Sequence, residues 1–240
     1  MTDIITSDIQ KQYISTDNNK VINKKRRIFE LFLILMVGFS ISEVKSAFMF
    51  LGLYKNAEIP EVLHILAIIG KITAILVTLY IMFVQERNLK DIGLNINKKY
   101  WVKEFYKDIL KAFLITIIIL ILETLIGFLL QFLGVGQVKA RNTDFIHIRM
   151  LVLFFISMSV NAFFEEFIVR GYMMTEIELL TNNKYLAIII TTLFQTSYHL
   201  YQGLYPLIGI SVIFLVFSVY FARSKKLMPV IISHFIFDIL

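Results

Sequence analysis

Long apolar runs alternate with short polar breaks along this chain, and the runs are long enough to cross a membrane. Stretches over 28–53, 62–84 and 109–133 each meet the roughly 20 residues a helix needs to span a hydrocarbon core about 30 Å thick. A fourth run starts near Arg149 and continues through Phe164, a fifth runs from Lys184 to about Tyr201, a sixth covers 207–221 and a seventh goes from Leu227 to the end. Turn signals separate them at Gly93-Leu94-Asn95, Gly134 to Asp144, Thr181-Asn182-Asn183 and Gly203-Leu204-Tyr205-Pro206. The pattern predicts an all-α fold, a polytopic membrane helix bundle of seven spans, or eight if a long segment breaks. Residues 1–27 read as a polar cytoplasmic tail and 28–240 as a single integral-membrane helical domain.

Composition strengthens the membrane reading. A hydrophobic fraction of 58% with 22 Phe and a mean hydropathy of +0.73 lie outside the usual range of soluble domains. The run after Lys24-Lys25-Arg26-Arg27 is too long for a signal-peptide core and ends in no small-x-small cleavage site, so it predicts a retained first span. The chain has no cysteine, which excludes a thiol nucleophile, thiolate metal ligands and disulfides together. Any catalyst must use oxygen or imidazole.

The net charge of +6 does not call for nucleic acid as a partner. The lysines and arginines gather in the tail, in 85–108, near Lys184 and in Arg223–Lys226, on alternate loops beside the spans. That distribution predicts a cytoplasmic N-terminus and an outer C-terminus, with the lipid bilayer as the surrounding medium. Trp101 reads as an interface residue. Glu43, Lys45, His64, Lys71 and Glu123 interrupt spans without any motif around them, and read as helix-to-helix or snorkelling groups.

One stretch differs: Asn161-Ala162-Phe163-Phe164-Glu165-Glu166-Phe167-Ile168-Val169-Arg170-Gly171 ends an apolar run with two carboxylates and a guanidinium. Ionised groups removed from water cost several kcal/mol each unless paired, and in a membrane span they mark a functional site by default. Glu166 and Arg170 are four apart and share a helix face, which suits an ion pair. Glu165 lies about 100° round the helix and is free for another partner. His199 and Glu165 are equally far from Asn182, so an antiparallel hairpin puts them at one height. His234 and Asp238 are four apart on the last helix.

Depths agree as well, with His234 about 10 Å from the cytoplasmic start of its span and Glu165 about 24 Å from the outer start of its own. His199 lies only about 7 Å along the helix from Leu204, so the Gly203–Pro206 turn must dip into the protein, which is tolerated only where protein or a cavity shields the backbone.

Two imidazoles and three carboxylates at one level can activate water in two ways. In a metal form, Glu165, His199 and His234 hold one divalent ion, zinc being the natural choice, with an open position for water. In a metal-free form Glu165 and His199 take the water proton while His234 and Asp238 stabilise the oxyanion, Asp238 being protonated or acting through His234. Spacing does not separate the two. There is no HExxH and no Gly-x-Ser-x-Gly, so zincin and serine-hydrolase readings find no support.

Glu165-Glu166-x-x-x-Arg170, the Tyr198-His199-Leu200-Tyr201-Gln202-Gly203 segment and His234-x-x-x-Asp238 together resemble the three motifs of the CPBP intramembrane proteases, the Abi family that includes type II CAAX prenyl endopeptidases. The resemblance covers about 90–240 and implies a multi-helix membrane peptidase, commonly classed as a metalloprotease, with a site open towards the cytoplasmic side. Carried over, Glu165 is the water-activating base, Glu166 and Arg170 support it, His199 is a base partner or ligand, and His234 with Asp238 binds the oxyanion or the metal. Two positions depart from the family pattern. Gln195 stands where the second motif usually has Phe, with Phe194 beside it, and Asp238 stands where Asn is frequent.

The expected function is hydrolysis of a peptide bond in a membrane-associated peptide or protein substrate. The resemblance suggests prenylated tails, or bacteriocin and signalling-peptide precursors; the composition leans towards a bacterial cell membrane. The alternatives are a non-catalytic membrane immunity or scaffold protein that binds a bacteriocin or signalling partner, and a small transporter. Charges clustered at one depth, not strung out as a relay, argue against transport.

Overall fold

The structure, a computed structural model, describes residues 24–53, 61–134 and 148–240. The expected polar tail over 1–23 and most of the loop expected between Gly134 and Asp144 lie outside the described residues, as does the side chain of His64. Among the described residues every regular element is helical: α1 (Lys24–Phe50), α2 (Glu61–Val84), α3 (Lys98–Lys103), α4 (Phe105–Phe132), α5 (Ile148–Glu166), α6 (Thr175–Thr181), α7 (Lys184–Ser197), α8 (Leu204–Ser224) and α9 (Met228–Ile239). Two 3₁₀ turns, Leu89–Ile92 and Leu200–Gln202, and a π-helical segment, Phe167–Met174, complete them.

Each of the seven expected apolar runs is a helix, but they differ as membrane spans. By length and composition α4 and α8 qualify as crossing helices, while Ile68–Val84 and α9 are shorter apolar helices. The physical reason is length or charge. At 1.5 Å per residue α7 and α9 extend only about 21 and 18 Å, less than a core of about 30 Å, and α1 carries Glu30, Glu43 and Lys45.

Helix α4 exposes Leu110, Phe113, Leu114, Ile117, Ile118, Ile121, Leu125 and Phe128, and a helix apolar all round belongs in a large core or in lipid. Its mid-helix carboxylate, Glu123, reaches α8, where its Oε1 lies 3.2 Å from the position of a Cβ on Gly209. The expected interhelical contact for Glu123 is therefore present. Trp101 is half exposed and stacks against Phe105, with ring centroids 4.5 Å apart.

The centre of the molecule is α5 and its continuation. The helix passes without interruption from α5 through the π turn into α6, and all eight π residues are buried. Helices α2 and α9 pack on α5, and α7 on the π segment. Gly171 permits the close approach of the α8–α9 turn, since a Cβ there would sit 3.1 Å from Leu227 Cδ2. Gly93 is the other required glycine: its φ is +81°, a Cβ would come within 2.7 Å of the Lys225 carbonyl, and its own carbonyl accepts from Leu227 N–H at 2.9 Å.

The Thr181-Asn182-Asn183 turn is as its sequence predicts. Asn182 takes the left-handed conformation at φ 55°, and Asn183 Oδ1 caps the Tyr185 and Leu186 amides.

The fifth helix departs from expectation. It stops at Ser197, not near Tyr201, and the chain turns through Leu200–Gln202. Ser46 of α1 supplies the reason: its Oγ donates to the Ser197 carbonyl at 3.3 Å and accepts from the Tyr201 amide at 3.0 Å. A side chain from a distant helix thus satisfies backbone groups that a continuing helix would have paired, and the turn packs against α1.

Candidate active site

Glu166, at the last residue of α5, is fully buried, and so is Arg170 one turn on. Arg170 Nη1 donates to Glu166 Oε1 at 3.2 Å, as four-residue spacing predicts. Its Nη2 donates to the Phe214 carbonyl at 3.0 Å, and its guanidinium faces the Phe214 and Phe217 rings at 5.2 and 5.8 Å. Removing one partner of such a buried pair costs about 3–5 kcal/mol, because it strands the other charge.

The same oxygen, Glu166 Oε1, receives His234 Nδ1 at 2.7 Å. Glu166 therefore contacts one of the imidazoles directly as well as pairing with Arg170. On the other side of the ring, His234 Nε2 lies 3.5 Å from Asp238 Oδ1 and 4.0 Å from Glu165 Oε2. Both ring nitrogens thus face carboxylate oxygens, and ionised carboxylates only accept. The ring is placed as a donor at both ends.

Glu165, also buried, takes partners from the end of α7. Tyr198 OH donates to its Oε2 at 2.7 Å and Gln195 Nε2 to the same oxygen at 2.8 Å. Gln195 also touches Glu166 Oε1 at 3.5 Å. Hairpin arithmetic points to His199 here; helix α7 ends early and Tyr198 and Gln195 make the hydrogen bonds to Glu165, while the His199 imidazole stands near enough to interact electrostatically with Glu165, His234 and Asp238. His199 sits just beyond, its ring 4.7 Å from Tyr198 and 5.2 Å from Phe214. Its Nδ1 is 3.3 Å from Gln202 Nε2, while its Nε2 is buried with no hydrogen-bond partner.

Two further residues join from outside the expected set. Asn161, one turn before Glu165, donates through Nδ2 to Asp238 Oδ2 at 3.2 Å, and Lys71 of α2 donates to Asn161 Oδ1. Lys71 reads from sequence as a snorkelling or helix-to-helix group; in the fold it bonds across to α5 and terminates a chain running Lys71, Asn161, Asp238, His234, Glu166, Arg170. Of these additions, Asn161 was legible as sharing a face with Glu165 four residues on, and Tyr198 and Gln195 as neighbours one turn apart. Lys71 carried no local signal.

Glu165, Glu166, Arg170, His234 and Asp238 are thus brought together, with His199 beside them. Residues 147–240 match the family model of the type II CAAX prenyl endopeptidase Rce1-like proteins. The resemblance drawn from the three motifs is borne out over that stretch, which holds α5 to α9 and every residue of the three motifs. It is narrower than the expected 90–240, since α3 and α4 lie outside the match, as does Lys71 in α2. No curated protein and no solved structure matches the chain. A match to Rce1-like endopeptidases implies a membrane-embedded protease acting on a peptide or protein substrate.

Two of the three residues expected to hold a divalent ion, Glu165 and His234, are turned to partners within the protein. His234 has both nitrogens turned to carboxylates, and among the described residues no three His, Asp or Glu side chains are grouped to hold an ion.

Proposed function

We propose that this protein is an intramembrane endopeptidase in which Glu165 activates the attacking water. Water adds to the scissile carbonyl carbon while its proton passes to Glu165. The C–N bond then breaks, and Glu165 returns the proton to the leaving nitrogen. Tyr198 and Gln195 hold the carboxylate in place. Gln202 Nε2 donates to His199 Nδ1, so the partnerless Nε2 of that ring carries its proton and is a second donor for the developing oxyanion.

His234 has the complementary task. At 3.5 Å its contact with Asp238 is too long for a strong hydrogen bond, so its Nε2–H can turn to an oxyanion forming near Glu165. Asp238 acts through this imidazole and not on the oxyanion itself, which a bare carboxylate would repel. Glu166 and Arg170 hold the ring from behind.

The observation that carries the reading is the contrast on one wall of the site. A positioned carboxylate stands 4.0 Å from an imidazole nitrogen, and a second imidazole has an unused nitrogen. The substrate is a membrane-associated peptide or protein. The seven helical runs cross the bilayer with the N-terminus cytoplasmic, the short ones supported by their neighbours.

The test is cleavage of a lipid-anchored reporter peptide in proteoliposomes. Glu165→Gln and His199→Ala each abolish it while membrane insertion and thermal stability persist; full activity in either variant rejects the assignment. One observation favours a non-catalytic scaffold: Glu165 Oε2 already accepts two donors, which weakens a base. Under that reading both variants retain the protein's cellular function.

A further inference from the structure

A second buried polar cluster lies where α2 ends, away from the residues above. Arg27 and Arg87 both pair with Glu176, Arg27 Nη2 at 2.8 Å from its Oε2. Gln85 Nε2 bridges Glu30 Oε2 at 2.7 Å and Tyr172 OH at 3.0 Å. Arg87 uses only Nη1, on Glu176 and on Gln85 Oε1. Its Nε and Nη2 are buried without a hydrogen-bond partner, although its side chain is only 2% exposed. Buried guanidinium N–H groups left unpaired are costly; here they are closed off from solvent, with the guanidinium 5.5 Å from the centre of the Tyr172 ring, and the residue borders a cavity.

The cavity measures about 530 Å³. One wall is Leu79, Met82 and Phe83 of α2, and the other is Asn88, Leu89, Lys90, Leu94, Ile96 and Asn97. Phe83 and Ile96 are exposed large apolar side chains at its rim. The polar groups there offer mainly donors. Asn88 Oδ1 already accepts from the Lys90 amide and Asn97 Oδ1 from the Tyr100 amide, which leaves their amide nitrogens for a ligand, with Lys90 alongside. The acidic neighbour, Asp91, accepts from the Asn88 amide at 2.7 Å. Glu176 is outnumbered by its two arginines.

We propose that this cavity seats the headgroup of an anionic phospholipid, its phosphate on Lys90 and the side-chain amides of Asn88 and Asn97 and its acyl chain along Leu79 and Phe83. Charge complementarity selects the head: donors and cations converge where an apolar helix gives way to a basic loop, the place where anionic headgroups lie. The apolar wall selects a lipid over free phosphate, since it continues the outward face of α2.

The test uses the full-length protein in nanodiscs of phosphatidylcholine doped with phosphatidylglycerol, followed by detergent extraction and native mass spectrometry. Wild type retains phosphatidylglycerol in preference to phosphatidylcholine. Lys90→Gln, on the exposed rim, retains about fivefold less, the equivalent of about 1 kcal/mol for one basic residue at an anionic surface. Equal retention of the two lipids, retention unchanged in Lys90→Gln, or displacement by inorganic phosphate alone overturns the proposal.

Discussion

Two buried polar clusters flank the same central helix, and they differ in what their side chains can do with a proton. The cluster around Arg87 and Glu176 is built from guanidinium, carboxylate, amide and phenol groups. The cluster around Glu165 and Glu166 adds two imidazoles, one facing carboxylates on both sides and the other with a nitrogen unused. Burial and ion pairing are common to both, so neither marks chemistry by itself. Imidazole is the side chain whose ordinary titration lies near neutrality, and its presence on one side only is why water activation is assigned there and structure, with lipid contact, to the other.

That contrast can be broken most decisively at Glu165. Glu165→Gln lowers reporter cleavage about a hundredfold to ten-thousandfold, the usual worth of a general base, with the thermal midpoint in detergent unchanged. Glu176→Ala does the reverse: two arginines lose their shared partner and stability falls by about 3–5 kcal/mol, read as a lower unfolding midpoint, while cleavage per folded molecule holds. Were Glu176→Ala to abolish turnover in folded protein, the division between the clusters would fail.

Smaller changes sharpen it. Tyr198→Phe removes one hydrogen bond to the proposed base and slows cleavage about tenfold, consistent with about 1.5 kcal/mol for a bond to a charged group. Lys71→Met, at the far end of the chain through Asn161, slows it about threefold; an unaffected rate would cut Lys71 out of the site. Under the metal-free reading treatment with a chelator leaves cleavage unchanged, and restoration of a lost activity by added zinc would contradict it.

The helical pairs were legible beforehand because four residues make about one turn. Glu166 with Arg170 needed no more than that, and His234 with Asp238 shares a face for the same reason. The turn at Asn182 was legible from its residue types. What failed was the assumption that α7 runs on to Tyr201. Ser46, about 150 positions away in the chain, takes up the backbone groups at its end, and Tyr198 and Gln195 make the hydrogen bonds to Glu165 beside His199. No pattern within α7 announces a serine from α1.

By itself the order of residues determined an all-helical chain of membrane character, the three motifs and the local pairs within them, because periodicity and composition act over one or two turns. Only the tertiary structure decided that His234 rests on Glu166, that Lys71 and Asn161 extend the cluster, and that Arg87 lines a cavity. Those contacts depend on which helix faces meet. That choice is made by packing across the whole bundle, where groups far apart in sequence compete for the same few buried partners.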